Sequence, residues 1–321
     1  MEDAEAVARH VVWRLSVKQD GNGEIAKAFE GGLNRHGYGF QYAVLGVAEK
    51  LSKAENPRWI LECSEFPVAV EKRGDTRIDF ILRRATDNWN PLSKEQGIYL
   101  VAECKRVNPA WGWWCFAKAP YVSRTPRSNR FIAEVAERRI RKEEEEPFRV
   151  GGYCLDMAVS PYHVAFEVKN NNAKGDLESG RKTCKDAIED AAKQVCHGAN
   201  GLVQHLCKRP PATTITDIVV VPVIFTTARL FATTIDLSKT DILSGNVDLS
   251  VSDLQEQSWV YLQYPVSRGL KHSFLSLRNS SELSDVLNAE YLRTIPIVSA
   301  SGIGEFLRTF DFGLSDAREC E

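Results

Sequence analysis

Asp79, Glu103 and Lys105 are charged residues set inside two short apolar runs. Asp79 lies in Arg77-Ile78-Asp79-Phe80-Ile81-Leu82, and Glu103 and Lys105 lie in Tyr99-Leu100-Val101-Ala102-Glu103-Cys104-Lys105. Both runs have strand character. Side chains alternate along a strand, so Glu103 and Lys105 share a face, and pairing of the two strands brings Asp79 beside them. A charge in such a setting is costly unless it is paired or binds a metal. Two neighbouring carboxylates suit a hard divalent cation, and Mg²⁺ keeps several waters in sites of this kind. Such a cation polarises a phosphate and lowers the pKa of a bound water. An ammonium group alongside orients that water or offsets charge in the transition state. This is the minimal equipment for hydrolysing a phosphodiester. The competing reading of the same residues is structural: an Asp79–Lys105 ion pair across the strands, with Glu103 at a strand edge in water.

The elements that position these residues follow from periodicity. Helical spacing runs through 3–16, is broken by the glycine-rich stretch Gly31 to Gly39, and resumes from Phe40 to Lys53. Strands are expected at Trp59 to Val70, Arg77 to Arg84 and Ile98 to Val107, separated by polar turn segments. Residues 108–150 combine an aromatic cluster, a basic stretch and a charged helix ending at Glu143 to Glu146. Strands follow at Tyr153 to Val159 and Tyr162 to Lys169. Asp186 to Leu206 is the strongest helix, and Ile218 to Phe225, apolar on both faces, is the best candidate for a central strand. Further strands are expected at Trp259 to Tyr264 and Ile295 to Val298, then a helix near Glu305 to Thr309.

This order, with Asp79 on the second strand and Glu103-Cys104-Lys105 on the third, resembles the restriction-endonuclease-like superfamily, the PD-(D/E)xK nucleases. Ile78 stands where that family carries proline, and the loop from Asp79 to Glu103 is long. The resemblance implies an α/β fold with a mixed central β-sheet flanked by helices and carrying insertions. It implies one elaborated domain over 1–321, with a core at about 38–107 and 186–228, an insertion at 108–185 and a C-terminal extension at 229–321. It further implies Asp79 and Glu103 as metal ligands, the carbonyl of Cys104 as another, and Lys105 as the catalytic lysine. Mg²⁺ is the implied cofactor, with Mn²⁺ able to replace it, and DNA the implied substrate. Gln194 lies on the helix face shared by Ala187, Ala191 and Gly198, whose small side chains permit close approach to the sheet. It is read either as a contributor to the site, as in some family members, or as a helix-surface amide.

A second D…ExK pattern, Asp156 followed by Glu167 and Lys169, is nearer in sequence to the helix at Asp186. Its first strand is weaker, and Tyr162 and His163 suggest a partly exposed hairpin. Glu62 and Glu65, on opposite faces of the first strand if it is regular, and Glu49 before it, are each either a further acidic ligand or a charge on a solvated face. Trp111, Trp113, Trp114, Phe116 and Tyr121 precede or open a stretch from Lys118 to Lys142 with eight basic residues against Glu134 and Glu137. Such a combination stacks bases and binds phosphates, with Arg124, Arg127 and Arg130 as nucleic-acid contacts. Equally, the tryptophans close a core and the charges pair along a solvated helix.

Composition bounds the alternatives. The 321 residues are 43% hydrophobic and 26% charged, as in ordinary globular proteins, which excludes a mainly disordered chain or a collagen-like fibre. No apolar run of about 18 residues occurs, so no membrane partner is expected. The net charge of −2, from 41 basic and 43 acidic residues, neither supports nor excludes nucleic acid. The start lacks the layout of a signal peptide, and the eight cysteines form no CxxC pair. Both point to reduced thiols and a cytoplasmic location. No phosphate-binding loop, HExxH or GxSxG occurs. The expected function is a metal-dependent deoxyribonuclease, in restriction or anti-phage defence by family habit. A homodimer or a separate ATPase or helicase partner is compatible with the missing nucleotide motif. The alternative is a non-catalytic nucleic-acid-binding or assembly subunit that keeps the fold.

Overall fold

Runs rich in Val, Ile and Phe, bounded by polar turns, make strands the dominant element of this chain. The computed structural model describes residues 19–54, 58–70, 74–85, 95–107, 112–118, 129–141, 144–145, 149–171, 176–179, 187–207, 215–266 and 291–310. The helical spacing at 3–16 lies outside them. The chain divides after Ala43 into two units.

The first unit contains α1 (Gln19–His36) and the opening residues of α2 (Tyr38–Ala54). The glycine-rich stretch does not break the helix where expected: α1 continues through Gly31 and Gly32. The helical penalty of glycine is only about 1 kcal/mol per residue. The interruption comes at Gly37, where φ of 76° demands a residue without Cβ.

In the second unit the strands, in chain order, are β1 (Arg58–Val70), β2 (Gly74–Ala85), β3 (Glu95–Lys105), β4 (Gly112–Ala117), β5 (Arg130–Arg141), β6 (Glu144–Glu145), β7 (Arg149–Ala158), β8 (Val164–Asn171), β9 (Asp176–Ser179), β10 (Ile215–Thr226), β11 (Arg229–Thr233), β12 (Leu254–Gln257), β13 (Trp259–Pro265) and β14 (Leu292–Ser299). Two helices join them, α3 (Ala187–Cys207) and α4 (Ile303–Thr309). The larger sheet is mixed, in the order β1-β2-β3-β10-β14-β13. Neighbours β1, β2 and β3 are antiparallel, whereas β10 runs parallel to both β3 and β14. A smaller sheet has the order β12-β11-β4-β8-β9.

The larger sheet forks at β10. Along its first half, Ile215 to Val220, β10 pairs with β5, which in turn pairs with β7. At its end, Ile224 to Thr226, it pairs with β14. A buried ion pair sits between the two branches, with Arg293 Nε donating to Glu134 Oε1 at 2.8 Å. The charged helix expected to end at Glu143 to Glu146 is not what forms: its described residues are in strands, β5 and, at Glu144–Glu145, β6, while Glu143 and Glu146 lie outside the described residues. Phe131, Ile132, Ala133 and Glu134 are consecutively buried. Ladder bonds to β10 and β7, with both faces covered, outweigh the helix preference of Ala, Glu and Arg.

The two faces of the sheet carry different helices. On one, α3 lays Ala199, Leu202 and Val203 on Ile78, Ile81, Tyr99, Val101, Ile218 and Val220. Gly198 is what lets α3 approach, since a Cβ there would lie 2.6 Å from Ile78 Cγ1 and 2.8 Å from Val101 Cγ1. On the other, Phe306 of α4 meets Phe225, which stacks on Phe80. Among the described residues, no helix is long and apolar enough to cross a membrane.

Candidate active site

Alternation along β3 decides the orientation of the charged residues. Tyr99 and Val101 face α3, so Glu103 and Lys105, two and four residues on from Val101, face it too. Lys105 Nζ donates to Glu103 Oε1 at 2.6 Å, and stands 3.5 Å from Gln194 Oε1 of α3. The other end of that amide is fixed, with Gln194 Nε2 donating to the Arg77 carbonyl at 2.6 Å. Gln194 therefore bridges the backbone of β2 to the lysine of β3.

Asp79 comes from β2. The last registered pair of β2 with β3 is Phe80 with Ala102, and Asp79 and Glu103 follow at the same end. The Cys104 amide donates to Asp79 Oδ2 at 2.6 Å. Ile78 and Ile81, three residues apart, both lie in the α3-side core, while Phe80 stacks on the α4 side. The alternation of β2 thus changes phase around Asp79. Opposite Asp79 on β1 is Glu65, between the pairs Ser64–Phe80 and Phe66–Ile78, with φ of 54°.

The end of β3 is held from β10. The Lys105 carbonyl accepts from Thr226 Oγ1 at 3.0 Å and from the Thr227 amide at 3.2 Å. The Val107 amide donates to Thr227 Oγ1 at 2.7 Å. Thr226-Thr227, directly after the apolar run of β10, is the sequence signal for this clamp, and pattern reading passed over it.

The electrostatics are those of carboxylates taken out of water. Burial pushes Glu103 up to about 7, with Lys105 opposing and the charges of Asp79 and Glu65 adding to the rise. Asp79 is also raised, by burial first, against the Cys104 amide and Lys105, which lower it. The Cys104 thiol is held well above its ordinary value by burial and the two carboxylates, which disfavours the thiolate. Glu103 is only 5% exposed, and its Oε2 has no hydrogen-bond partner in the structure. A buried carboxylate oxygen left in this state beside a second carboxylate fits a divalent cation, which supplies the missing charge and coordination. No group of three or more His, Cys, Asp or Glu side chains among the described residues is arranged to hold a metal by itself. Phosphate oxygens and water would have to contribute the remaining ligands.

Asp79, Glu103, Cys104, Lys105 and Gln194 are thus brought together. The Asp79–Lys105 pair with a solvated Glu103 is not what forms: Lys105 pairs with Glu103, and Glu103 is buried. The second pattern is divided, since Asp156 is on β7 of the larger sheet and Glu167 and Lys169 are on β8 of the smaller one. Glu62 pairs with Arg83, and Glu49 with Lys53 one helical turn on. Trp114 and Phe116 are buried in the core that α3 shares with the smaller sheet. Arg130 opens β5, whereas Arg124 and Arg127, like Trp111 and Tyr121, lie outside the described residues. No family model matches this sequence, and no similar protein was found among curated proteins or solved structures.

Proposed function

We propose that this chain is a Mg²⁺-dependent nuclease with a restriction-endonuclease-like core, cleaving phosphodiester bonds in DNA. The observation that carries the proposal is Glu103. It is buried beside Asp79 with one oxygen on Lys105 and the other without a partner. An unmet buried acceptor costs about 1–3 kcal/mol, and a cation bound there would meet it. The element order adds support: α2, the antiparallel β1-β2-β3, then α3, and β10 parallel to β3. By the same resemblance, restriction or defence against foreign DNA is the proposed setting.

Asp79 and Glu103 would hold the cation, with the Cys104 carbonyl as a further ligand. The cation, when bound, polarises the scissile phosphate and acidifies a coordinated water. Lys105 stabilises negative charge building on the phosphate and sits where it can orient the attacking water. Gln194, anchored on the Arg77 carbonyl, restrains Lys105. Arg124, Arg127 and Arg130 are the proposed phosphate contacts.

The test is degradation of plasmid, linear and single-stranded DNA with Mg²⁺ or Mn²⁺. Asp79→Ala and Glu103→Ala should abolish cleavage and leave the circular dichroism spectrum intact. Lys105→Ala should lower single-turnover cleavage on the order of 10²–10³-fold, as for loss of one preorganised electrostatic group. Its Mn²⁺ affinity should stay similar or become slightly tighter. Wild-type cutting rates in either carboxylate variant would exclude this site. DNA binding without cleavage under any metal condition would identify a non-catalytic binding subunit instead.

A further inference from the structure

The connection from β11 to β12, residues 234–253, is an arm that turns its apolar side chains outward. Ile242 and Leu243 at its tip are 94% and 93% exposed, and Val251 is 88% exposed. Val247 and Leu249 are exposed as well, so Val247 to Val251 alternates aliphatic and polar side chains with no sheet to bury them. Single exposed aliphatics are ordinary, but a contiguous set marks an interaction surface. Connections of this length are uncommon in compact folds and usually functional. The arm is ordered from within. The Thr234 amide donates to the Asp253 carbonyl at 3.3 Å and closes its neck. Asp236 caps the turn Leu237–Lys239, accepting from the Ser238 amide at 3.0 Å. Below the tip, Asp241 accepts from the Ser244 amide at 2.9 Å, and the Gly245 amide donates to the Asp241 carbonyl at 2.8 Å. Ile242 and Leu243 are thus presented already ordered, which lowers the entropy lost when they dock.

Charge narrows the partner. The arm carries Asp236, Asp241, Asp248 and Asp253 against Lys239, a balance that repels nucleic acid and anionic membranes and suits an apolar protein surface with a cation at its edge. Such a surface lies on the same sheet. Trp114, Phe116 and Leu230 face the core that includes α3, so Phe231, Cys115 and Phe166, which sit side by side on β11, β4 and β8, face the other way. Phe166 is 39% exposed, and Val164, next along that face, is 40% exposed. Val164 pairs with Ala117, and Phe116 with Ala232, so Val164 lies at the end of the sheet where β11 leads into the arm. Lys118, exposed at that same end with its Nζ 2.7 Å from Ser160 Oγ, offers the cation. Arm and face are both exposed, so they do not cover one another within one chain. Between two copies they can, each arm on the other's face, and a two-fold axis makes the contact twice. Standard interfaces take about 20–30 residues a side, which residues 234–253 and the face of β4, β8 and β11 together supply.

We propose that the 234–253 arm docks on a second copy of this chain, with Ile242 and Leu243 of each copy seated on the Val164, Phe166 and Phe231 face of the other in a closed, two-fold exchange. The contact lies outside the candidate active site and does not depend on a metal.

The experiment is analytical ultracentrifugation of the full chain over a concentration series, for wild type, an arm variant (Ile242→Asp with Leu243→Asp) and a face variant (Val164→Thr with Phe166→Thr). Wild type should be a dimer with a dissociation constant in the micromolar range or tighter, as standard-size interfaces reach. Each variant should raise that constant by about 10²-fold or more, because truncating a buried anchor costs roughly tenfold and the two-fold repeats the loss. Circular dichroism of the diluted proteins should be unchanged, since the replaced side chains are exposed in the single chain. Mixing the two variants is the decisive arm. Their heterodimer keeps one intact arm on one intact face, so the mixture should associate more tightly than either variant alone, which damage to folding would not produce. A wild type that stays monomeric up to about 100 µM overturns the proposal and leaves the arm to a different protein. Undiminished dimerisation in either variant overturns it too, as does a mixture no tighter than its components.

Discussion

Glu103 carries the largest electrostatic cost at the site, and its sign sets a pH dependence. Burial raises its pKa from 4.5 to about 7, so between those values the folded protein holds a proton that the unfolded chain has lost. Stability therefore falls as pH rises through this window. The cost is absent below about pH 4.5 and complete above about pH 7, on the order of 3 kcal/mol at 1.36 kcal/mol per pKa unit. In chelator, wild type should lose stability between pH 5 and pH 8 relative to Glu103→Gln, whose neutral amide does not titrate. Urea unfolding of the two proteins at several pH values measures this, and parallel profiles would show that Glu103 is solvated. On the proposed function such a residue has reason to be kept, because the burial that destabilises the apo carboxylate would also strengthen its hold on a cation.

At the scale of elements, the contact of α3 with β2 and β3 decides whether Gln194 reaches Lys105. Gly198 is one helical turn beyond Gln194 and lies against Ile78 and Val101. Gly198→Ala should gain about 1 kcal/mol of helix propensity. It should lose about 1–3 kcal/mol to overpacking against two β-branched side chains that cannot swing away. The net expectation is a loss of about 1 kcal/mol, and on the proposed function also slower cleavage, because α3 must retreat from the strand that carries Lys105. Adding Ile78→Ala, which vacates the closest contact, should recover part of that overpacking. A Gly198→Ala protein more stable than wild type by urea unfolding would mean that this helix face has room to spare.

For the whole molecule, the fork in the larger sheet is the feature on which topology depends. Glu134 and Arg293 meet there, each 1% exposed, where β5 and β14 share one edge of β10. The Ile132 amide donates across the same junction to Thr294 Oγ1 at 2.9 Å. Removing one partner of a buried ion pair strands the other charge and costs about 3–5 kcal/mol. Arg293→Met should destabilise by that order, while Glu134→Leu with Arg293→Met should recover most of it. A double-mutant cycle by chemical denaturation checks both figures, and a near-neutral single variant would show that the junction admits water.

Strand periodicity and apolar flanks were enough to mark Asp79, Glu103 and Lys105, because placing charge in a buried strand is costly enough to be visible in one dimension. The same local signals located β1, β2, β3, β10 and α3 to within a few residues. What they left open depended on contacts distant in sequence. The run Phe131 to Arg141 has helix-forming composition and is a strand only because β10 and β7 supply its ladder partners. Asp156 and Glu167 carry the same pattern with a weaker first strand, and the assignment of β7 and β8 to different sheets is what divides them. Glu65 reads as a surface charge until the β1–β2 register sets it across from Asp79 with its backbone in the left-handed region. Residue type and alternation are properties of a segment, so the sequence by itself determined which charged groups stand in apolar strands. Register, sheet membership and burial arise from pairing between segments, so only the tertiary structure decided which of those groups meet.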